Sequence, residues 1–343
     1  MYHMVWIKQK AMKRIFFVFL FITFITVGVY FMMWDNGKRN KEGLSLNDMV
    51  VANPVSSNSL LQKILKEDPK WLQLYEGEPK HRPNFTYLTS EHSKCRDDAP
   101  FVVIFVASRP SEVEARLAIR ASWASKKQWH GKSVLTLFLT GNESREQTGK
   151  LYLEHEKYRD MIMQDFLDSY QNLTHKTRMA FQWLHDFCPK AKYIMKTDSD
   201  VFVNPGNLVN YLLQQAETEH FYTGYPFVNT YPYRNVLTKN YISTEEYPLD
   251  IFPPYGSGLG YVISGNLALR IYEMMCHVKP FRIEDVYVGV CVKLLGEEVH
   301  VPKDHLFFLF KTELADKIES LIAAHWVDPA AMRHYWETLH SSS

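Results

Sequence analysis

The chain has 343 residues, with 39 lysines and arginines against 38 acidic residues and a formal charge of +1. That balance excludes the basic surface of a nucleic-acid binder, and 46% hydrophobic with 22% charged residues excludes a disordered chain. Four cysteines are too few for a disulfide scaffold, while 20 tyrosines and 21 phenylalanines point to a large core or a stacking pocket.

From Ile15 to Met33 no residue is charged, and all are apolar apart from Tyr, Thr and Gly. At about 1.5 Å rise per residue this run just crosses a bilayer core as a helix. Lys8, Lys10, Lys13 and Arg14 precede it and outweigh the charge that follows, so the tail at 1–14 is expected in the cytoplasm. The run ends Tyr30-Phe31-Met32-Met33-Trp34, which offers no small-residue cleavage site. The expectation is a signal anchor at 15–34, with the rest of the chain in the lumen. Three sequons, at Asn84, Asn142 and Asn172, agree with that side. Cys95, Cys188, Cys276 and Cys291 all lie beyond the span. In an oxidising lumen they could form two disulfides, with the pairing open, or remain buried thiols.

Residues 35–94 are polar and carry little sustained periodicity beyond a short helix within Leu60–Leu74, so they read as a stem ahead of a domain at 95–343. Phe101 to Ala107 is a continuous apolar run of strand length, the mark of a strand buried on both faces of a parallel sheet. Glu112–Ser122 reads as a helix, Ser133–Thr140 as a second buried strand and Lys150–Arg159 as a helix. Asp160–Gln164 follows as a short strand. Leu173, Thr177, Phe181 and Leu184 then share one helix face, and Lys192–Thr197 is a further strand. This alternation predicts an α/β fold with a mainly parallel central sheet flanked by helices.

Asp198-Ser199-Asp200 comes directly after the Lys192–Thr197 strand. Ligands of open α/β sheets gather at the carboxyl ends of strands, where two carboxylates could hold a hard divalent cation against a diphosphate. An Asp-x-Asp alone arises by chance about once in such a chain and then serves a turn. Glu284-Asp285 precedes a helix over Val286–Leu295, where acidic residues favour the helix dipole or act as a general base. Gly256, Gly258 and Gly260 would let a backbone approach a ligand closely. Arg116 and Arg120, one helical turn apart, could clamp phosphate or pair with local carboxylates. His325 is a lone histidine, more often a satisfied residue than a ligand.

Together these segments resemble the β-1,3-galactosyltransferase family (glycosyltransferase family 31), type II Golgi membrane enzymes. The matching text runs through Arg116–Trp123, Asp165–Thr177, Tyr193–Val203, Gly258–Ser264 and Glu284–Gly289, in order and spacing. The resemblance implies a GT-A-type fold, a UDP-sugar donor, a Mn2+ ion, and inversion to a β-1,3 linkage. It makes Asp200 and His325 metal ligands with Asp198 beside them, and Asp285 the base with Glu284 as neighbour. Asp165, Lys196, Ser199, Arg116 and Arg120 fall on the donor side. The expected donor is galactose, with N-acetylglucosamine or N-acetylgalactosamine as alternatives. The acceptor would be a glycan on a glycolipid or glycoprotein, the aromatic segment Tyr225–Pro254 flanking it, and the compartment the Golgi lumen. A binding protein or chaperone that retains the fold without catalysis is the alternative of another class. A hydrolase would need a Gly-x-Ser-x-Gly elbow, which the chain lacks.

Overall fold

The computed structural model describes residues 59–216, 219–302, 305–310 and 317–341. The expected tail and anchor, and the stem before residue 59, lie outside the described residues. Among the described residues no helix is long and apolar enough to cross a membrane.

The first half contributes α1 (Ser59–Glu67), β1 (Tyr87–Thr89), β2 (Val102–Ala107), α2 (Val113–Ala121), β3 (Gln128–Trp129) and β4 (Lys132–Asn142). Next come α3 (Arg145–Tyr158), β5 (Met161–Leu167), α4 (Leu173–Phe187), β6 (Tyr193–Asp198), β7 (Phe202–Val203) and α5 (Pro205–Leu213). The remainder supplies β8 (Tyr222–Phe227), β9 (Tyr255–Ser264), α6 (Gly265–Met275), α7 (Glu284–Leu295), β10 (Phe307–Phe308), β11 (Ala323–Ala324) and α8 (Pro329–Ser341).

The large sheet has the order β1-β5-β4-β2-β6-β9-β8, with β3 paired to β4. Strands β5, β4, β2 and β6 are parallel, which explains why every residue of β2 is buried. The sheet is mixed rather than mainly parallel, because β1, β9 and β8 pair antiparallel at its edges. The excursion 228–254 between β8 and β9 contains no crossover helix, so β9 returns antiparallel beside its predecessor. A second sheet, β10-β11-β7, sits beyond the end of β6.

The stem boundary expected at residue 94 is corrected within the described residues: 59–94 pack on the domain. Helix α1 buries Leu61 and Ile64, and Trp71, Leu74 and Tyr75 are buried after it. Glu76 N donates to the His277 carbonyl at 2.7 Å, and Lys279 N to the Leu74 carbonyl at 2.8 Å. Strand β1 adds an antiparallel edge to β5. These apolar residues are scattered, and the backbone bonds that hold the segment join positions about two hundred residues apart, so no local period announces them.

The expectation of two disulfides is corrected as well. Cys95 and Cys188 are bridged, while Cys276 and Cys291 are free and buried. Cys276 donates to the Tyr272 carbonyl, and burial pushes its thiol up to about 11. Both thiols act as small apolar side chains in the packing of α6 and α7.

Candidate active site

Strand β6 ends on Asp198, so its carboxylate and that of Asp200 emerge at the carboxyl edge of the parallel strands. The second sheet brings the distant histidine to them. Ala324 pairs with Phe202 and Ala323 with Val203, which carries the next residue, His325, back alongside Asp200. His325 Nε2 lies 3.3 Å from Asp200 Oδ2, and Val327 N donates to the Asp200 carbonyl at 2.9 Å. Burial would raise the Asp200 pKa, but the His325 hydrogen bond and charge outweigh it and hold the carboxylate below its usual range.

Helix α7 carries Glu284 and Asp285 in its first turn, at the positive end of the helix dipole. A Cβ on Gly289 would stand 2.7 Å from the Tyr255 Cβ, so glycine lets the helix lie against the start of β9. Gly258 N on that strand donates to Asp285 Oδ2 at 3.1 Å, and Val286 N donates to Oδ1 at 2.9 Å. Burial, then the neighbouring Glu284 charge, pushes the Asp285 carboxyl up to about 7, with Lys196 and the two N–H donors restraining it. That is a pKa suited to taking a proton near neutrality.

Glu284 is in a different state. Its Oε1 accepts from Thr177 Oγ1 at 2.8 Å and Tyr261 OH at 2.7 Å, and its Oε2 from Lys196 Nζ at 3.0 Å. It is 4% exposed, and both of its oxygens are engaged by side-chain donors. Lys196, expected on the donor side, is buried between strands. Its ammonium also donates to Asp198 Oδ1 at 2.9 Å and to the Gly258 carbonyl at 3.3 Å. Burial opposes the charge, but the two carboxylates raise its pKa above the ordinary value. Asp198 is raised by burial despite Lys196.

Several expected donor contacts prove internal. Arg116 is fully buried, and its five N–H groups go to Glu154 twice, Ser108 Oγ, and the Arg109 and Pro110 carbonyls. Arg120 grips Asp160 through two bonds of 2.8 Å, reaches Glu154 at 2.6 Å, and lies over the Tyr158 ring. Neither guanidinium reaches the carboxylates at the end of β6; Arg116 fixes the loop after β2, while Arg120 ties α2 to α3 and to the residue before β5. Asp165 is exposed, and its Oδ1 accepts at 2.9 Å from the N–H of Thr86, the residue before the edge strand β1. Ser199 Oγ donates to Glu112 Oε2 at 2.7 Å, so the middle residue of the acidic triplet anchors its turn.

Of the three glycines only Gly258 opens toward the cluster. A Cβ there would stand 3.6 Å from Asp285 Oδ2, Glu284 Oε2 and Lys196 Nζ. At Gly256 it would meet the Tyr222 hydroxyl and at Gly260 the Met195 side chain. Of the sequons, Asn84 is exposed. Asn142 Oδ1 accepts from Glu143 N, and Asn172 Nδ2 donates to the Leu167 carbonyl.

Three residues at the site escaped the sequence reading. Glu112 ties Ser199 to the loop after β2, accepting from Arg109 N at 2.8 Å. Lys176, buried, pairs with Asp168 at 2.9 Å and donates to the Ser108 carbonyl. Tyr170, its phenol raised by burial and by the Asp285 and Asp198 charges, donates to Asn240 Oδ1 at 2.7 Å. Lys176 and Tyr170 belong to the segment that carried the family resemblance; Glu112 left no signal. The 228–254 excursion is built on Arg234, whose guanidinium donates to the Ile242, Ser243, Tyr247 and Leu249 carbonyls. Its Glu246 pairs with Arg282 at 2.9 Å. There a cleft of about 260 Å³ is lined by Gln171, Asn172, His175, Glu246, Phe281 and Arg282, among others.

Among the described residues no group of three or more His, Cys, Asp or Glu gathers as a metal site. Asp200 and His325 nevertheless fit a divalent cation as a pair. Their ligand atoms adjoin, and His325 Nδ1 is a buried nitrogen without a hydrogen-bond partner. Further ligands would have to come from a bound diphosphate or water.

The carboxylate-rich cluster thus lies at the carboxyl edge of a mixed α/β sheet, next to a carboxyl raised toward neutrality. Residues 114–304 match the model of the galactosyltransferase family. The chain is 51% identical over 279 residues to UDP-GalNAc:beta-1,3-N-acetylgalactosaminyltransferase 1 of Rattus norvegicus, covering 80% of this chain and 84% of that one. Beta-1,3-galactosyltransferase 5 of Mus musculus is 38% identical over 252 residues, covering 72% and 82%. The chain belongs to this family of β-1,3 galactosyl- and N-acetylgalactosaminyltransferases. Among solved structures it is similar to a glycosyltransferase that acts in glycosylation of the PBCV-1 major capsid. The TM-score there is 0.39 with 14% identity, over 70% of this chain and 100% of that one.

Proposed function

We propose that the chain transfers N-acetylgalactosamine from UDP-N-acetylgalactosamine to a glycan hydroxyl in β-1,3 linkage, with inversion. The observation that carries the reaction class is Asp285: half-buried, held by two backbone N–H groups, and raised to about 7. An acceptor hydroxyl is far too weak an acid to ionise alone, so a base must take its proton as it attacks. Asp285 accepts that proton, the new bond forms at the anomeric carbon, and the bond to the diphosphate breaks on the opposite face. One such displacement converts an α-linked donor into a β product. Asp200 and His325 would hold Mn2+, which when bound supplies positive charge against the diphosphate.

The other residues position these groups. Lys196 joins Asp198, Gly258 and Glu284, and Gly258 in turn fixes Asp285 Oδ2. The cleft beside Arg282 and Glu246 suits the acceptor side, with amides, a charged pair and the Phe281 ring for a sugar. The disulfide between Cys95 and Cys188 supports an oxidising compartment, in keeping with a Golgi lumen reached by an anchor at 15–34.

The donor assignment follows the relatives that share about half of this sequence and are named for N-acetylgalactosamine. Galactose is the second reading, favoured by the family description and by the relatives at 38% and 36% identity. The test is a donor screen with the soluble domain from residue 59, mixed acceptors and Mn2+. Transfer from UDP-N-acetylgalactosamine at least tenfold above UDP-galactose is expected. The reverse preference overturns the donor assignment, and no transfer from any UDP-sugar overturns the enzyme reading.

A further inference from the structure

Trp326 follows His325, and the two rings lie 4.5 Å apart at an interplanar angle of 33°. Its φ is +62°, and it is 57% exposed. The other positive-φ residues that are not glycine have local reasons. Arg159 caps the end of α3, and His130 precedes Gly131 in the turn between β3 and β4. Glu91 opens the short turn before Cys95, and Asn229 is of a type that tolerates the conformation. Trp326 neither caps a helix nor closes a hairpin. A bulky side chain in the left-handed region is strained, and such strain persists where the surroundings fix it.

The surroundings do fix it. His325 N donates to the Phe308 carbonyl at 3.0 Å and Val327 N to the Asp200 carbonyl at 2.9 Å, so the peptide is pinned on both sides of the tryptophan. The result is a large aromatic face held in water at the rim of the Asp200–His325 pair. Core packing does not require it there, since glycine would fit the backbone better and expose nothing apolar.

We propose that Trp326 is a stacking platform for a pyranose ring bound beside the diphosphate, whether of the donor or of the acceptor. The C–H face of a pyranose is apolar, and an indole with few rotatable bonds covers it at small entropic cost. The proposal rests on the nucleotide-sugar reading of the Asp200–His325 pair and adds a residue that selects for sugar.

The experiment compares the wild-type protein with Trp326→Gly and Trp326→Phe. Thermal midpoint, Michaelis constants for donor and acceptor, and Mn2+ dependence are measured for each. For Trp326→Gly a rise of about tenfold in one sugar Michaelis constant is expected, together with an unchanged or higher melting midpoint. Trp326→Phe should keep most of the affinity. A rise confined to the donor constant assigns the donor ring, and one confined to the acceptor constant assigns the acceptor ring. Unchanged constants for both overturn the platform. So does a change confined to Mn2+ dependence or to stability, because the indole then only supports His325. If the wild type transfers no sugar at all, the nucleotide-sugar reading fails separately. Calorimetric binding of UDP-N-acetylgalactosamine and of a galactoside glycan to both proteins then decides the platform alone, equal affinities overturning it.

Discussion

The cluster behind α2 and the cluster at the end of β6 are both built from cations set against carboxylates. Behind α2, Arg116 and Arg120 face Glu154 and Asp160, and all five N–H groups of Arg116 are used. At the end of β6, Lys196 serves both Glu284 and Asp198. Asp200 is left to His325, and Asp285 to backbone N–H groups. The first cluster is closed; its charges balance and nothing is offered to a ligand. The second carries more negative charge than its own cation neutralises, so an anionic donor would be repelled until a metal ion is bound. Saturation of hydrogen-bonding capacity, rather than residue type, separates the part that holds the fold from the part proposed to meet a substrate.

The largest expected effect is on the open side. Asp285→Asn should lower kcat by about a thousandfold, within the range for loss of a general base, while leaving donor binding near normal. Loss of UDP binding by calorimetry would place Asp285 among the nucleotide contacts instead. Asp200→Ala should abolish the Mn2+-dependent part of UDP-sugar binding, and full activity of the wild type in a chelator would sink the metal assignment.

The closed side should answer in stability. Arg116→Met leaves Glu154 with Arg120 as its one cation and strips the Ser108, Arg109 and Pro110 oxygens of their donor, and should cost about 3–5 kcal/mol in denaturant unfolding. A cost below about 1 kcal/mol would mean that this cluster is not the structural element described.

Smaller effects follow from the carboxyl of Asp285. Its folded pKa of about 7 stands above the ordinary 3.8, so the folded state binds the extra proton between those values. Stability from this group is therefore lost as pH rises from about 4 through about 7. Asp285→Asn should raise the melting midpoint at pH 8 and leave it unchanged at pH 4; equal shifts at both would refute the assignment. In the wild type, kcat/KM should fall on the acid side of about 7, because a base must be unprotonated. Glu284→Gln removes the adjacent negative charge and should move that acid limb to lower pH.

Much of the frame was legible along the chain. The run Phe101–Ala107 announced β2 because a strand buried on both faces has no polar alternation. The spacing Leu173, Thr177, Phe181, Leu184 announced α4. Asp198 and Asp200 were found from their place after a buried strand. His325 had no local signal and entered only through the family resemblance, since the pairing of β11 with β7 that delivers it joins segments over a hundred residues apart. For Arg116 and Arg120 the sequence left phosphate clamping and pairing with carboxylates both open, and the structure shows the pairing. Their spacing on a helix was correct, but Glu154 and Asp160, which absorb them, sit on other elements.

The sequence by itself determined the alternation of strands and helices, the acidic residues at the strand end and at the helix start, and the family. Those features are local, written in continuous apolar runs, in a period of 3.6 residues and in short motifs. Only the tertiary structure decided which charges are spent and which are left over. It also decided that residues 59–94 belong to the domain, that two of four cysteines stay free, and that Glu284 supports while Asp285 is available. Those outcomes depend on desolvation and on partners brought from distant positions, and neither is encoded within a few residues of the group concerned.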